Sequence, residues 1–138
     1  MKNLICTIFG AVGGAIAAAV GGFDMAFQTL LIFMIIDYLT GLVIAGVFCR
    51  SEKTEHGGLD SHVGWKGLAK KCMTLLFVLI AYRLDLMLNT NYCRNAVIIA
   101  FAVNELISIT ENAGIMGLPV PKVIMGAIEV LKNKGEKE

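Results

Sequence analysis

The sequence predicts an all-α integral membrane protein. It reads as a bundle of four transmembrane helices, three if the first lies on or leaves the membrane, followed by a short C-terminal amphipathic helix. Three observations predict it. Of 138 residues, 57% are hydrophobic and the mean hydropathy is +0.72, above the ~45–50% apolar share of soluble domains. Met25 to Cys49 is almost wholly apolar, and at about 1.5 Å per residue its ~25 residues cross a ~30 Å hydrocarbon layer. Finally, of the 12 lysines and arginines, all but Arg83 and Arg94 fall on one side of a four-span arrangement. The positive-inside rule then puts both termini of a multi-pass membrane protein in the cytoplasm. The length suits one membrane domain, 1–138, and nothing points to nucleic acid.

The first helix, about 3–22, carries no charge and is dominated by Gly and Ala. Met1-Lys2 precedes an apolar run longer than a typical signal core, so the segment reads as a retained helix. Gly10, Gly14, Ala18 and Gly22 fall four apart. Small faces let helix backbones approach closely in lipid, where apolar attraction between helices is weak, so this row suits packing within the chain or between subunits. Gly21-Gly22-Phe23-Asp24 is a tight turn.

The second helix, about 25–49, carries Asp37 near its middle. An ionised Asp there costs roughly 2.5–3.5 kcal/mol on insertion scales, so it must face protein or water or be protonated. A polar loop follows from Arg50. Its His56, Asp60 and His62 match no standard metal spacing, and its glycines fit no phosphate-binding pattern, so no cofactor or metal is expected. Cys6, Cys49, Cys72 and Cys93 stand singly and read as small apolar thiols.

Trp65, Lys66, Lys70 and Lys71 read as an interfacial anchor leading into the third helix, about 68–88. Its uncharged part, Cys72 to Tyr82, is too short to span alone, so Lys70 and Lys71 must snorkel at one end while Arg83 and Asp85 lie near the other. Arg83 is a candidate partner for an intramembrane carboxylate. The fourth helix, about 94–112, carries Asn104 and Glu105, a second carboxylate to set beside Asp37. Gly117-Leu118-Pro119-Val120-Pro121 cannot continue a helix but can start one. The amphipathic helix then covers about 119–132, with a charged tail at 133–138.

No Ser-His-Asp, Cys-His or HExxH pattern supports an enzyme. The residues leave three readings: a subunit that forms homo-oligomers to hide Asp37 and Glu105 or let them line water, a small four-helix proton-coupled transporter using those carboxylates, and an accessory assembly protein.

The motifs narrow this. Asp37-Tyr38-Leu39-Thr40-Gly41, Ser61 with Gly64, Gly67 and Lys71, Asn104-Glu105-Leu106-Ile107-Ser108 through Glu111-Asn112, and Gly117-Leu118-Pro119-Val120-Pro121, in that order, resemble phage holin family 4, the toxin secretion and phage lysis holins. The resemblance covers roughly Ile36 to Leu131. It implies a small multi-pass protein of the bacterial cytoplasmic (inner) membrane that accumulates among lipids as homo-oligomers, then forms pores or lesions through which an endolysin or a large toxin passes. Two departures stand out: no Met occurs between Met1 and Met25 to give a second, closely spaced start, and the tail is mixed in sign rather than strongly basic.

Overall fold

A computed structural model describes every residue except Ser51, Thr54 and Glu138. Five helices make up the described residues, with no strand: α1 (Lys2–Ala19), α2 (Met25–Val43), α3 (Ser61–Leu88), α4 (Cys93–Ile115) and α5 (Lys122–Lys137). Beyond Val43 the second helix widens into a π-helical turn, Ile44–Phe48, and ends at Cys49 in the left-handed conformation. Among the described residues three helices are long and apolar enough to cross a membrane: α1, α2 with its π turn, and α4. The third helix is longest, at 28 residues, yet its ionisable residues keep it out of that set.

The core lies where α2, α3 and α4 meet, around Leu30, Val78 and Ile98, with Val20, Phe27, Met34 and Ala102 beside them. Helix α4 packs against both α2 and α3, and α5 folds back along it. Helix α1 is different in kind: none of its residues is buried, and a Cβ added at Gly10, Gly13 or Gly14 would meet nothing within 4 Å.

Local chemistry explains the boundaries. Asp24 caps α2 by accepting a hydrogen bond from Phe27 N at 3.0 Å, and Asp60 caps α3 by accepting from His62 N at 2.8 Å. That second cap starts α3 at Ser61, ahead of the Leu68 expected from hydropathy, because the polar stretch after Asp60 is helical although it is not apolar. At the other end α5 runs on to Lys137, through residues read as a tail. Lys134 and Lys137 in its last turn complement the negative end of the helix dipole.

Arg94, buried at the start of α4, ties the α1–α2 turn to the bundle. Its Nε donates to Val20 O, its Nη2 donates to Gly22 O at 3.0 Å, and its Nη1 reaches Asp24 Oδ2 at 2.8 Å. Asp85, buried on α3, holds the arginine's own backbone: its carboxylate accepts from Arg94 N at 2.8 Å, Cys93 N at 3.0 Å and Thr90 Oγ1 at 2.7 Å. Two of the free N–H groups at the start of α4, those of Cys93 and Arg94, are satisfied in this way.

Gly21 sits under this clamp at φ +89°, where a Cβ would lie 2.7 Å from Tyr82 Cδ2 and 2.9 Å from Arg94 Nε. Gly21→Ala is therefore expected to destabilise the protein by about 1–2 kcal/mol, through left-handed strain and displacement of the arginine. Gly22, at φ +107° with open space, provides the comparison, since Gly22→Ala adds strain alone. Unfolding midpoints in detergent should fall further for Gly21→Ala than for Gly22→Ala; equal midpoints would count against the clamp.

Candidate functional site

Asp37 on α2 and Glu105 on α4 come together, and what joins them is Lys71 of α3. Its Nζ lies 2.8 Å from Asp37 Oδ2 and 2.5 Å from Glu105 Oε2. The three side chains are 11%, 8% and 13% exposed for Asp37, Glu105 and Lys71, so the charges are largely withdrawn into the bundle. One ammonium serving two carboxylates offsets much of the cost of placing either at mid-depth in an apolar helix.

Polar neighbours complete the layer. Asn112 is buried and donates from Nδ2 to Thr40 Oγ1 at 2.8 Å, with longer 3.4 Å contacts to Asp37 O and Oδ1. Thr40 Oγ1 in turn donates to Asp37 O at 3.0 Å. The Asp37-Tyr38-Leu39-Thr40-Gly41 and Glu111-Asn112 motifs thus meet across the α2–α4 contact.

Above this layer opens a cavity of about 1120 Å³. Loop residues Glu52, Lys53 and Asp60 line it together with Asp37, Lys71 and Glu105, so it runs from the loop end of the bundle to the middle of α2 and α4. Phe77 and Phe101 line it as well, further toward the opposite ends of α3 and α4, with ring centroids 5.9 Å apart. The arrangement is a vestibule with a charged group and an aromatic pair among otherwise largely apolar walls.

The other singled-out residues are placed as follows. Asn104 is exposed and lines the cavity without joining the ion-paired group. Arg83 is exposed on α3 and, among the described residues, makes no ion pair; the buried arginine is Arg94. Gly10, Gly14 and Ala18 lie on the exposed surface of α1, whereas Gly22 belongs to the turn. Trp65, Lys66 and Lys70 are exposed near the start of α3, but Lys71 turns inward. Gly117, at φ +79°, through Leu118, Pro119, Val120 and Pro121 forms the turn between α4 and α5. Among the described residues no cluster of three or more His, Cys, Asp or Glu is placed to hold a metal.

Lys71 and Arg94 are the residues that pattern reading did not single out for these roles. A signal for Lys71 exists: it heads the stripe Thr74, Val78, Ala81 and Asp85, the buried face of α3. Spacing of three and four puts the lysine on the inward side.

Outside the spans, the hydrogen bonds from Arg94 hold the Asp24 carboxyl below its ordinary 3.8. A depressed carboxyl contributes stability that is complete above the ordinary value and lost as the pH falls through the folded one, so the α1–α2 clamp is intact at neutral pH and loosens only in strong acid.

Apolar helices around a buried polar layer define a small multi-span membrane protein, and comparison with known proteins says which kind. The bacteriophage holin family matches residues 14–133, and the chain belongs to that family. Among its relatives, the uncharacterized protein Lmo0128 of Listeria monocytogenes is 40% identical over 132 residues, covering 94% of this chain and 86% of its own. The uncharacterized 14.9 kDa protein in the nagH 3' region of Clostridium perfringens is 38% identical over 116 residues, 83% of this chain and 82% of its own. A probable holin of Bacillus phage phi105 is 28% identical over 110 residues, 79% of this chain and 76% of its own. No solved structure matches the chain.

Proposed function

We propose that this protein is a holin: many copies assemble in the bacterial cytoplasmic membrane and open lesions through which an endolysin, or a large toxin, leaves the cell. Family membership over residues 14–133 carries the reading, and the relationship to a probable phage holin supports it. The role is non-enzymatic. In this reading α3 is a fourth span, because pairing Lys71 with Asp37 and Glu105 removes its largest obstacle to entering the bilayer. Both termini then face the cytoplasm, with Trp65, Lys66 and Lys70 toward the cytoplasmic headgroups.

Helix α1, unburied and rich in small residues, packs through Gly10, Gly14 and Ala18 against neighbouring copies. The polar group works as a latch. In the closed subunit Lys71 holds Asp37 and Glu105 together, with Asn104 at the vestibule wall; in the open assembly these groups, and Arg83 near the far end of α3, face water instead. A two-state arrangement of this kind lets density in the membrane or loss of the membrane potential trigger opening.

One observation favours a second reading, a small proton-coupled transporter: two carboxylates and a lysine lie at mid-depth beside a cavity large enough for a ligand. Induced expression with a co-expressed endolysin separates the two. A holin gives abrupt lysis after a delay, whereas a transporter gives substrate-dependent resistance and no lysis.

A further inference from the structure

The cavity beside the ionic group has the size and the charge of a binding site. Its volume, about 1120 Å³, exceeds the ~300–1,000 Å³ of ordinary small-molecule sites, so a bare inorganic ion would leave most of it empty. Its charge is one-sided. Lys71 brings one ammonium to two carboxylates, Asp37 and Glu105. Around them Glu111 joins Glu52 and Asp60 on the walls and Lys70 joins Lys53, so five acidic side chains face three basic ones. Withdrawn from water, such an excess is balanced by protons or by a cation.

Much of the remaining lining is apolar or aromatic. Phe101 stands one turn before Glu105 on the same face of α4, and Phe77 lies beside it with ring centroids 5.9 Å apart. Ring faces attract an organic cation, and Leu42, Ile44 and Met73 offer its body apolar surface. The loop end provides a way in. There a second cavity of about 560 Å³ shares Tyr38, Leu42, Leu59, Asp60 and Gly64 with the first and reaches the exposed Trp65. A zwitterionic lipid headgroup would bring its phosphate against the same carboxylates, so the site favours a ligand of net positive charge.

We infer that this cavity binds a lipophilic organic monocation, its positive centre beside Asp37 and Glu105 and its apolar body against Phe77 and Phe101. The inference goes beyond the holin reading and does not depend on it: the cation is bound whether the protein opens lesions or carries the ligand across.

The test uses tetraphenylphosphonium, whose charge is fixed, and the full-length protein in mild detergent. Equilibrium dialysis, counted above empty micelles, should show saturable binding. Tetraphenylborate, of the same shape and opposite charge, should show none. Asp37→Asn and Glu105→Gln each leave one carboxylate for one ammonium, and each should weaken phosphonium binding by at least about tenfold. Gly41 lines the cavity, and a Cβ there meets nothing within 4 Å, so Gly41→Leu should block the site by bulk while leaving the charges in place.

Absence of saturable binding overturns the inference, as does equal binding of the borate, which needs no variant to observe. Unchanged affinity in both charge variants removes the carboxylates from the site, and unchanged affinity in Gly41→Leu removes the cavity; either overturns it. Displacement of the phosphonium by excess phosphatidylethanolamine would make the occupant a lipid headgroup and overturn the requirement for net positive charge. Lysis with a co-expressed endolysin is scored separately, so failure of the holin reading and failure of this one are distinct results.

Discussion

Replacing Lys71 with Met is expected to remove about 3–5 kcal/mol of stability, the usual cost of stripping one partner from a buried ionic group. Asp37 and Glu105 would then face each other at mid-depth with no cation between them, and either they take up protons or the helices separate. Lys71→Met should therefore accumulate poorly in membranes and run as aggregate on size exclusion in mild detergent. Combining it with Asp37→Asn and Glu105→Gln removes the charges the lysine was balancing, and the triple variant should recover most of the folded fraction. A single variant as well folded as the natural protein would mean that the three groups are not an interdependent unit.

Arg94→Met is expected to cost about 2–3 kcal/mol, because it abandons a carboxylate and two backbone carbonyls at once. Its effect is local in a way that Lys71→Met is not. The lost hydrogen bonds all lie in residues 20–24, so α1 should detach from the bundle while α2, α3 and α4 stay packed around Leu30, Val78 and Ile98. Limited proteolysis in detergent should show new cleavage near Gly22. Arg94→Lys should resemble Arg94→Met more than the natural protein, since one ammonium cannot reproduce the fork that meets Val20, Gly22 and Asp24 together. Protection of the turn in Arg94→Met would place the clamp elsewhere.

These two residues also mark the boundary of what the sequence makes legible. The spans around Met25 to Cys49 and Cys93 to Ile115 follow from hydropathy alone, and the mid-span positions of Asp37 and Glu105 make both carboxylates visible as groups in need of partners. The partner is harder to read. Lys71 follows Trp65, Lys66 and Lys70, a pattern that suits a headgroup anchor, and it lies 34 residues from each carboxylate, so local spacing cannot connect them.

Arg94 is harder still. It follows a polar turn and is naturally counted among the charges of an external loop, yet two of its acceptors are carbonyls of a Gly-rich turn more than 70 residues earlier. Backbone acceptors leave no trace in side-chain chemistry. The fold-back of α5 is likewise beyond a periodicity argument, which identifies an amphipathic helix but not the surface that its apolar side meets.

In the proposed mechanism the Asp37 charge, held by Lys71 beside Glu105, belongs to the latch that sets when the assembly opens. Asp37→Asn keeps the shape and leaves one carboxylate for one ammonium, a better balanced closed state. Expressed at equal membrane level with a co-expressed endolysin, Asp37→Asn should delay the onset of abrupt lysis relative to the natural protein. Lysis with unchanged timing would contradict the claim.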